Sequence, residues 1–167
     1  MDHLTWFRLL MSEVRRRLFA ESFARLRKCL DMLDEAQIWW RPNEQTNSVG
    51  NLTLHVCGNA RQWICAGLGG QPDQRQRQAE FDERGPIARA QLLAMIDQLQ
   101  TDLDDALERL TPEDICQYHY VQTFEESGMS ILIHVVEHFS YHVGQITLLT
   151  KQLTGRDTGY YKGIPLE

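Results

Sequence analysis

The stretch SILIHVVEHFSYHVGQITLLTKQL, residues 130–153, decides the fold. Ile131, Leu132, Ile133, Val135, Val136, Phe139, Val143 and Ile146 make it largely apolar, and it holds no proline. A run of that length reads as a long helix, with Gly155 after it as a C-cap able to turn left-handed. His134, His138 and His142 stand four apart inside it. Successive members lie about 40° apart around a helix and therefore share a face. Rings placed in so apolar a run need polar partners once buried.

A cation is one such partner. Two imidazoles one turn apart can point at one ion. All three on a straight helix cannot, because the outer pair is about 12 Å apart along the axis. One neighbouring pair is expected to bind, and the remaining histidine to do something else. A third ligand must then come from another helix. His55, in the mostly apolar Asn51–Val56 stretch, is the best placed, since His3 lies near a terminus and His119 in a loop. Cys57 is not expected to share an ion with His55, because residues two apart on a helix face apart. Three histidines leave a position open on the metal, the pattern of catalytic rather than structural zinc. The competing reading makes the rings hydrogen-bonded core residues.

Outward from this stretch, three more helices are expected. The first spans about Met11 to Glu35, with Val14, Leu18, Leu26, Leu30 and Leu33 on its apolar side. Trp39-Trp40-Arg41-Pro42 ends or redirects it, and both tryptophans read as packing anchors at the bundle end. The second starts near Asn47 or Ser48, either able to cap it, and runs to about Ala66, where Gly67, Gly69 and Gly70 stop it. The third covers about Ile87 to Leu110, with Pro86 in its first turn and Asp82 or Glu83 helping to cap it. Gln71 to Arg84 reads as an exposed crossover. Ile115 to Phe124 has room for one or two short extended segments. These elements define an all-α four-helix bundle with crossover connections, taken as one domain over residues 1–167.

Composition removes other classes. With 167 residues, 43% hydrophobic and 24% charged, the chain can bury a full core and is not disordered. A net charge of -6 argues against binding phosphate backbones, and Arg15-Arg16-Arg17 reads as the wet face of a helix. No apolar run is long enough to span a membrane, and no secretory signal is expected at the N-terminus. Cys29, Cys57, Cys65 and Cys116 form no close pair and are expected to be free and buried. A cytoplasmic protein with neither nucleic-acid nor membrane partners is expected.

Two segments carry a resemblance. Ser48-Val49-Gly50-Asn51-Leu52-Thr53-Leu54-His55, with Gly58-Asn59, and His134 through Ile146 resemble the DinB/YfiT-like metalloenzyme superfamily. Trp39-Trp40-Arg41-Pro42, Glu80-Phe81-Asp82-Glu83-Arg84-Gly85-Pro86 and Leu153-Thr154-Gly155-Arg156-Asp157 resemble one branch of it, DUF1572. The likeness covers about Leu18 to Tyr161. It implies a four-helix bundle, often a homodimer, and a divalent ion, zinc or nickel, on His55, His138 and His142. His134 matches an extra histidine of many such sequences, which would hold a ligand ring or line the pocket. Val143 stands where many members carry arginine.

Related proteins include thiol-dependent transferases and isomerases. The resemblance therefore implies a metal-dependent enzyme acting on a small molecule, as a thiol-dependent S-transferase or a hydrolase, with a low-molecular-weight thiol as partner. The alternative is a non-catalytic metal-binding or stress-associated dimeric bundle. No catalytic residue is assigned. Asn51, Asn59, Glu137 and Tyr141 are candidates to hold the ligand rings or line the pocket, by their closeness in sequence. Tyr118, His119 and Tyr120 read as loop packing, with lining of the pocket mouth as the alternative.

Overall fold

The computed structural model describes residues 3–165. Its first rod comprises α1 (His3–Arg15), a π-helical stretch (Arg16–Phe23) and α2 (Ala24–Met32). Met11, Val14, Leu18, Phe23, Leu26, Cys29 and Leu30 are buried along it. Leu18 and Phe23 are five apart, which separates them by about 140° on an α-helix. The wider i→i+5 turns of the π stretch bring them back to one side. The rod starts before the expected Met11, because Trp6, Phe7 and Leu10 extend its apolar side onto the core. It stops before Glu35, because Asp34 caps a new short helix, α3 (Glu35–Trp39), in a reciprocal capping box with Gln37.

Only one of the two tryptophans is an anchor. Trp39 lies against Gly50 and Gly85, where a Cβ would overlap its ring, and donates from Nε1 to the Ile87 carbonyl at 3.1 Å. Trp40 is exposed.

Ser48 caps α4 (Val49–Ala60), which continues as a second π-helical stretch (Arg61–Leu68). The crossover that follows is not simply exposed. It contains α5 (Arg77–Asp82), which packs on α4, and its Arg75, Glu80 and Phe81 turn inward. Asn51 sets this path by donating from Nδ2 to the carbonyls of Glu80 and Glu83, both at 2.9 Å. The next helix, α6 (Arg89–Arg109), consequently starts later than expected. Gly85 turns left-handed against Trp39, and the Glu83 carboxylate accepts from the backbone of Arg84 and Gly85. Pro86 therefore lies outside the helix, and Ala88 takes the cap position in place of Asp82 or Glu83.

Thr111 caps α7 (Pro112–Cys116). The antiparallel strands β1 (Tyr118–Val121) and β2 (Phe124–Ser127) pair Tyr118 with Ser127 and Val121 with Phe124. Of the stretch expected to hold extended segments, Ile115 and Cys116 are helical, β1 lies inside it, and β2 begins at its last residue, Phe124. Ser127 caps α8 (Gly128–Thr154), and Gly155 closes it at φ +64°. Helix α8 packs on α2, α4 and both π stretches, and α6 packs on α4 and the second π stretch. The fold is thus an all-α bundle of four long rods. Among the described residues, no helix is long and apolar enough to cross a membrane.

Candidate metal centre

The apolar side of α8 meets α4, and this contact brings three of the histidines together. One ring nitrogen from each of His55, His138 and His142 lies within 4.8 Å of the others. His55 Nε2 and His138 Nε2 are 3.1 Å apart. Tetrahedral coordination at about 2.1 Å from the ion sets ligand nitrogens roughly 3.4 Å apart. The three rings could therefore hold a metal ion.

The outer nitrogens settle which atoms face inward. His55 Nδ1 lies 2.9 Å from Glu80 Oε2 and donates its proton there, leaving Nε2 as an acceptor, which here faces His138 Nε2. Arg75 Nη2 is 3.1 Å from the same Nδ1, but its acceptor is the shared Glu80 Oε2 at 2.9 Å. His142 Nδ1 donates to Gln145 Oε1 at 2.7 Å, leaving its Nε2 as an acceptor. Outer partners of this kind fix tautomer and ring orientation at metal sites.

Burial disfavours the charged form of two of the rings, His138 and His142. Burial, then the charges of His142 and His55, hold His138 down to about 3. Burial likewise lowers His142, although its bond to Gln145 works the other way. Burial pushes the Glu80 carboxyl up, but hydrogen bonds from Arg75 and His55 outweigh it and leave the group below its usual range.

The remaining predicted residues divide. His134 stays outside the trio. Its Nε2 is 3.3 Å from Asn59 Nδ2, and its ring lies 4.0 Å from that of Trp63. Burial lowers its pKa too. Asn59 Oδ1 and Trp63 Nε1 beside it are buried without a protein partner. Asn51 touches no ligand ring but fixes the backbone of Glu80. Tyr141 is largely exposed and rests edge-on against His142, centroids 5.0 Å apart. Glu137 is not brought to the cluster: it is exposed and faces a groove against α1 with Leu10, Glu13 and Val14, because it lies about 100° around α8 from His138. Tyr118 and Tyr120 are exposed on the hairpin, and His119 bonds the Asp114 carbonyl. The cysteines are free, but Cys116 is exposed rather than buried.

Sequence reasoning missed Glu80, Arg75 and Gln145. Gln145 is three residues after His142, a spacing that helix geometry could have flagged. Glu80 and Arg75 reach His55 only through the crossover's path. They also line a cavity of about 720 Å³ with Gln62, Cys65, Met95 and Leu99, which none of the four histidines lines. The pair therefore stands between the trio and the cavity.

This bundle, with its histidine trio, has the DinB-like fold, and solved structures share it. A DinB-like protein from Bacillus cereus superposes with a TM-score of 0.65 at 18% identity, over 81% of this chain and 87% of that one. A DinB-like protein from Bacillus subtilis, YjoA, also gives 0.65, at 14% identity over 89% and 93%. The DUF1572 family profile, described as "Protein of unknown function", matches residues 8–162, and the chain belongs to that family. No curated protein matches the chain.

Proposed function

We propose that the protein is a divalent-metal-dependent enzyme acting on a small molecule, with zinc or nickel held by His55, His138 and His142. One observation carries this reading: three imidazoles converge while the outer nitrogens of His55 and His142 are already engaged. When bound, the cation supplies a Lewis acid that acidifies water or a thiol and polarises an electrophilic oxygen. The protein's part is to present three neutral donors and leave a position open. His134 and Tyr141, whose rings rest against those of His138 and His142, would orient a substrate. Thiol-dependent S-transfer is the preferred reaction and hydrolysis the second. We extend the reading to a homodimer, for which exposed Leu9 and Ile133 offer apolar surface.

The test is metal analysis of untagged protein. About one zinc or nickel ion per chain is expected, lost in His55→Ala and His142→Ala. Protein that takes up neither ion from saturating solution would refute the site.

A further inference from the structure

The crossover between α4 and α6 buries two charges beside the trio. The side chains of Arg75 and Glu80 are 5% and 11% exposed. Buried charges are tolerated only when paired and hydrogen-bonded, and this pair is both. Glu80 Oε1 accepts from Arg75 Nε at 2.7 Å, while Oε2 accepts from Arg75 Nη2 and from His55 Nδ1. Arg75 is tied further to α4's continuation, donating from Nη1 to Gln62 Oε1 at 2.9 Å. Asn51 pins the backbone on either side of Phe81. Gly58 supplies the space, since a Cβ there would collide with Glu80 Oε1. Several independent features thus converge on one carboxylate.

We propose that Glu80 is a positioning residue for the metal centre, and that it makes the crossover a strap whose seating over the 720 Å³ cavity is linked to metal occupancy. This rests on the metal reading above. His55 Nε2 can serve a cation only while Nδ1 holds the ring proton, and Glu80 fixes that tautomer. A cation on Nε2 makes the Nδ1 proton more acidic and strengthens its bond to Glu80. Metal therefore favours the seated strap, and the seated strap favours metal by the same factor. Losing an outer partner of a metal-bound histidine typically costs about 10–100-fold in affinity. Metal should slow local opening of the strap by up to that factor.

Zinc affinity by chelator competition, and hydrogen exchange of residues 76–84 with and without zinc, test this on the untagged full chain. The variants are Glu80→Gln, which keeps the shape and removes the charge, and Gly58→Ala, which displaces the carboxylate. Alanine raises helix propensity, so weakened binding in the second variant is not explained by a weaker helix. Both variants are expected to bind zinc about 10–100-fold more weakly and to lose most of the zinc-induced protection. Zinc affinity within twofold of wild type in Glu80→Gln, or unchanged exchange in wild type on adding zinc, overturns the proposal. Wild type that binds no zinc or nickel brings down the metal reading itself. Tight binding with an indifferent strap overturns this proposal and leaves the metal reading standing.

Discussion

Asn51→Asp is the substitution that separates the strap's anchor from the helix cap. Asn51 is 1% exposed. Its Oδ1 accepts from Ser48 N at 3.2 Å and from Ser48 Oγ at 2.7 Å, completing the cap of α4. Its Nδ2 donates to the carbonyls of Glu80 and Glu83. Aspartate keeps the first pair of bonds and destroys the second, because it sets an oxygen 2.9 Å from two other oxygens. Two lost hydrogen bonds cost about 1 kcal/mol each, and the unpaired buried carbonyls add about 1–2 kcal/mol together. A loss of about 3–4 kcal/mol at pH 7 follows, or roughly 10 °C in Tm for a chain of this size. Burial and the facing carbonyls would raise the new carboxyl's folded pKa above its unfolded value. The sign is then fixed: the variant should regain stability relative to wild type as pH falls through that raised pKa, since the protonated acid can donate to one carbonyl. Urea unfolding of both proteins at pH 7 and pH 5 measures it. A loss below about 1 kcal/mol at pH 7, or no recovery at pH 5, would refute the assignment of Asn51 as the strap's anchor.

Two further outcomes are expected. Burial pushes the Cys57 thiol up to about 12 and the Cys65 thiol up to about 11, so iodoacetamide at neutral pH should modify exposed Cys116 first; peptide mapping that finds Cys57 labelled first contradicts this. His138, held down to about 3 against an ordinary 6.5, binds its proton more readily in the unfolded chain, so the metal-free protein should lose stability as pH falls from about 6.5 toward 3. Thermal unfolding in chelator between pH 7 and 4 checks the slope, which should flatten in His138→Gln; a flat wild-type profile goes against it.

What could be read from the residues depended on how local the cause was. Helix α8 was legible because its apolar run and Gly155 act within the helix itself. The start of α4 was legible for the same reason, since Ser48 caps by a bond three residues away. The first rod was only partly so. Phe23 falls out of phase with Leu18 under α-helical spacing, and only the π stretch restores it to the core. The start of α6 was misread because Pro86 is a good first-turn residue locally, whereas Trp39 and Asn51 act on that segment from other rods. The same division runs through the site. The relation of His138 to His142 is a helical period, but Glu80 meets His55 from 25 positions away, along a crossover whose composition suggests only solvent.

Arg75 has an effect that the ligand spacing alone would not suggest. A carboxylate beside a metal-bound histidine makes the ring a stronger donor and partly offsets the cation's charge. In the proposed centre that carboxylate is already paired, two bonds to one guanidinium, so Arg75 cancels the charge of Glu80 while leaving its orienting bond to His55 intact. The immediate surroundings of a dication would then sum to three neutral imidazoles and one neutralised ion pair. Such a shell would take little from the acidity of a bound cation, which is what the proposed activation of water or a thiol requires. The chain's net charge of -6 would therefore weigh little on the chemistry proposed at the trio. The nearest acid is neutralised, and more distant surface charges are screened by solvent.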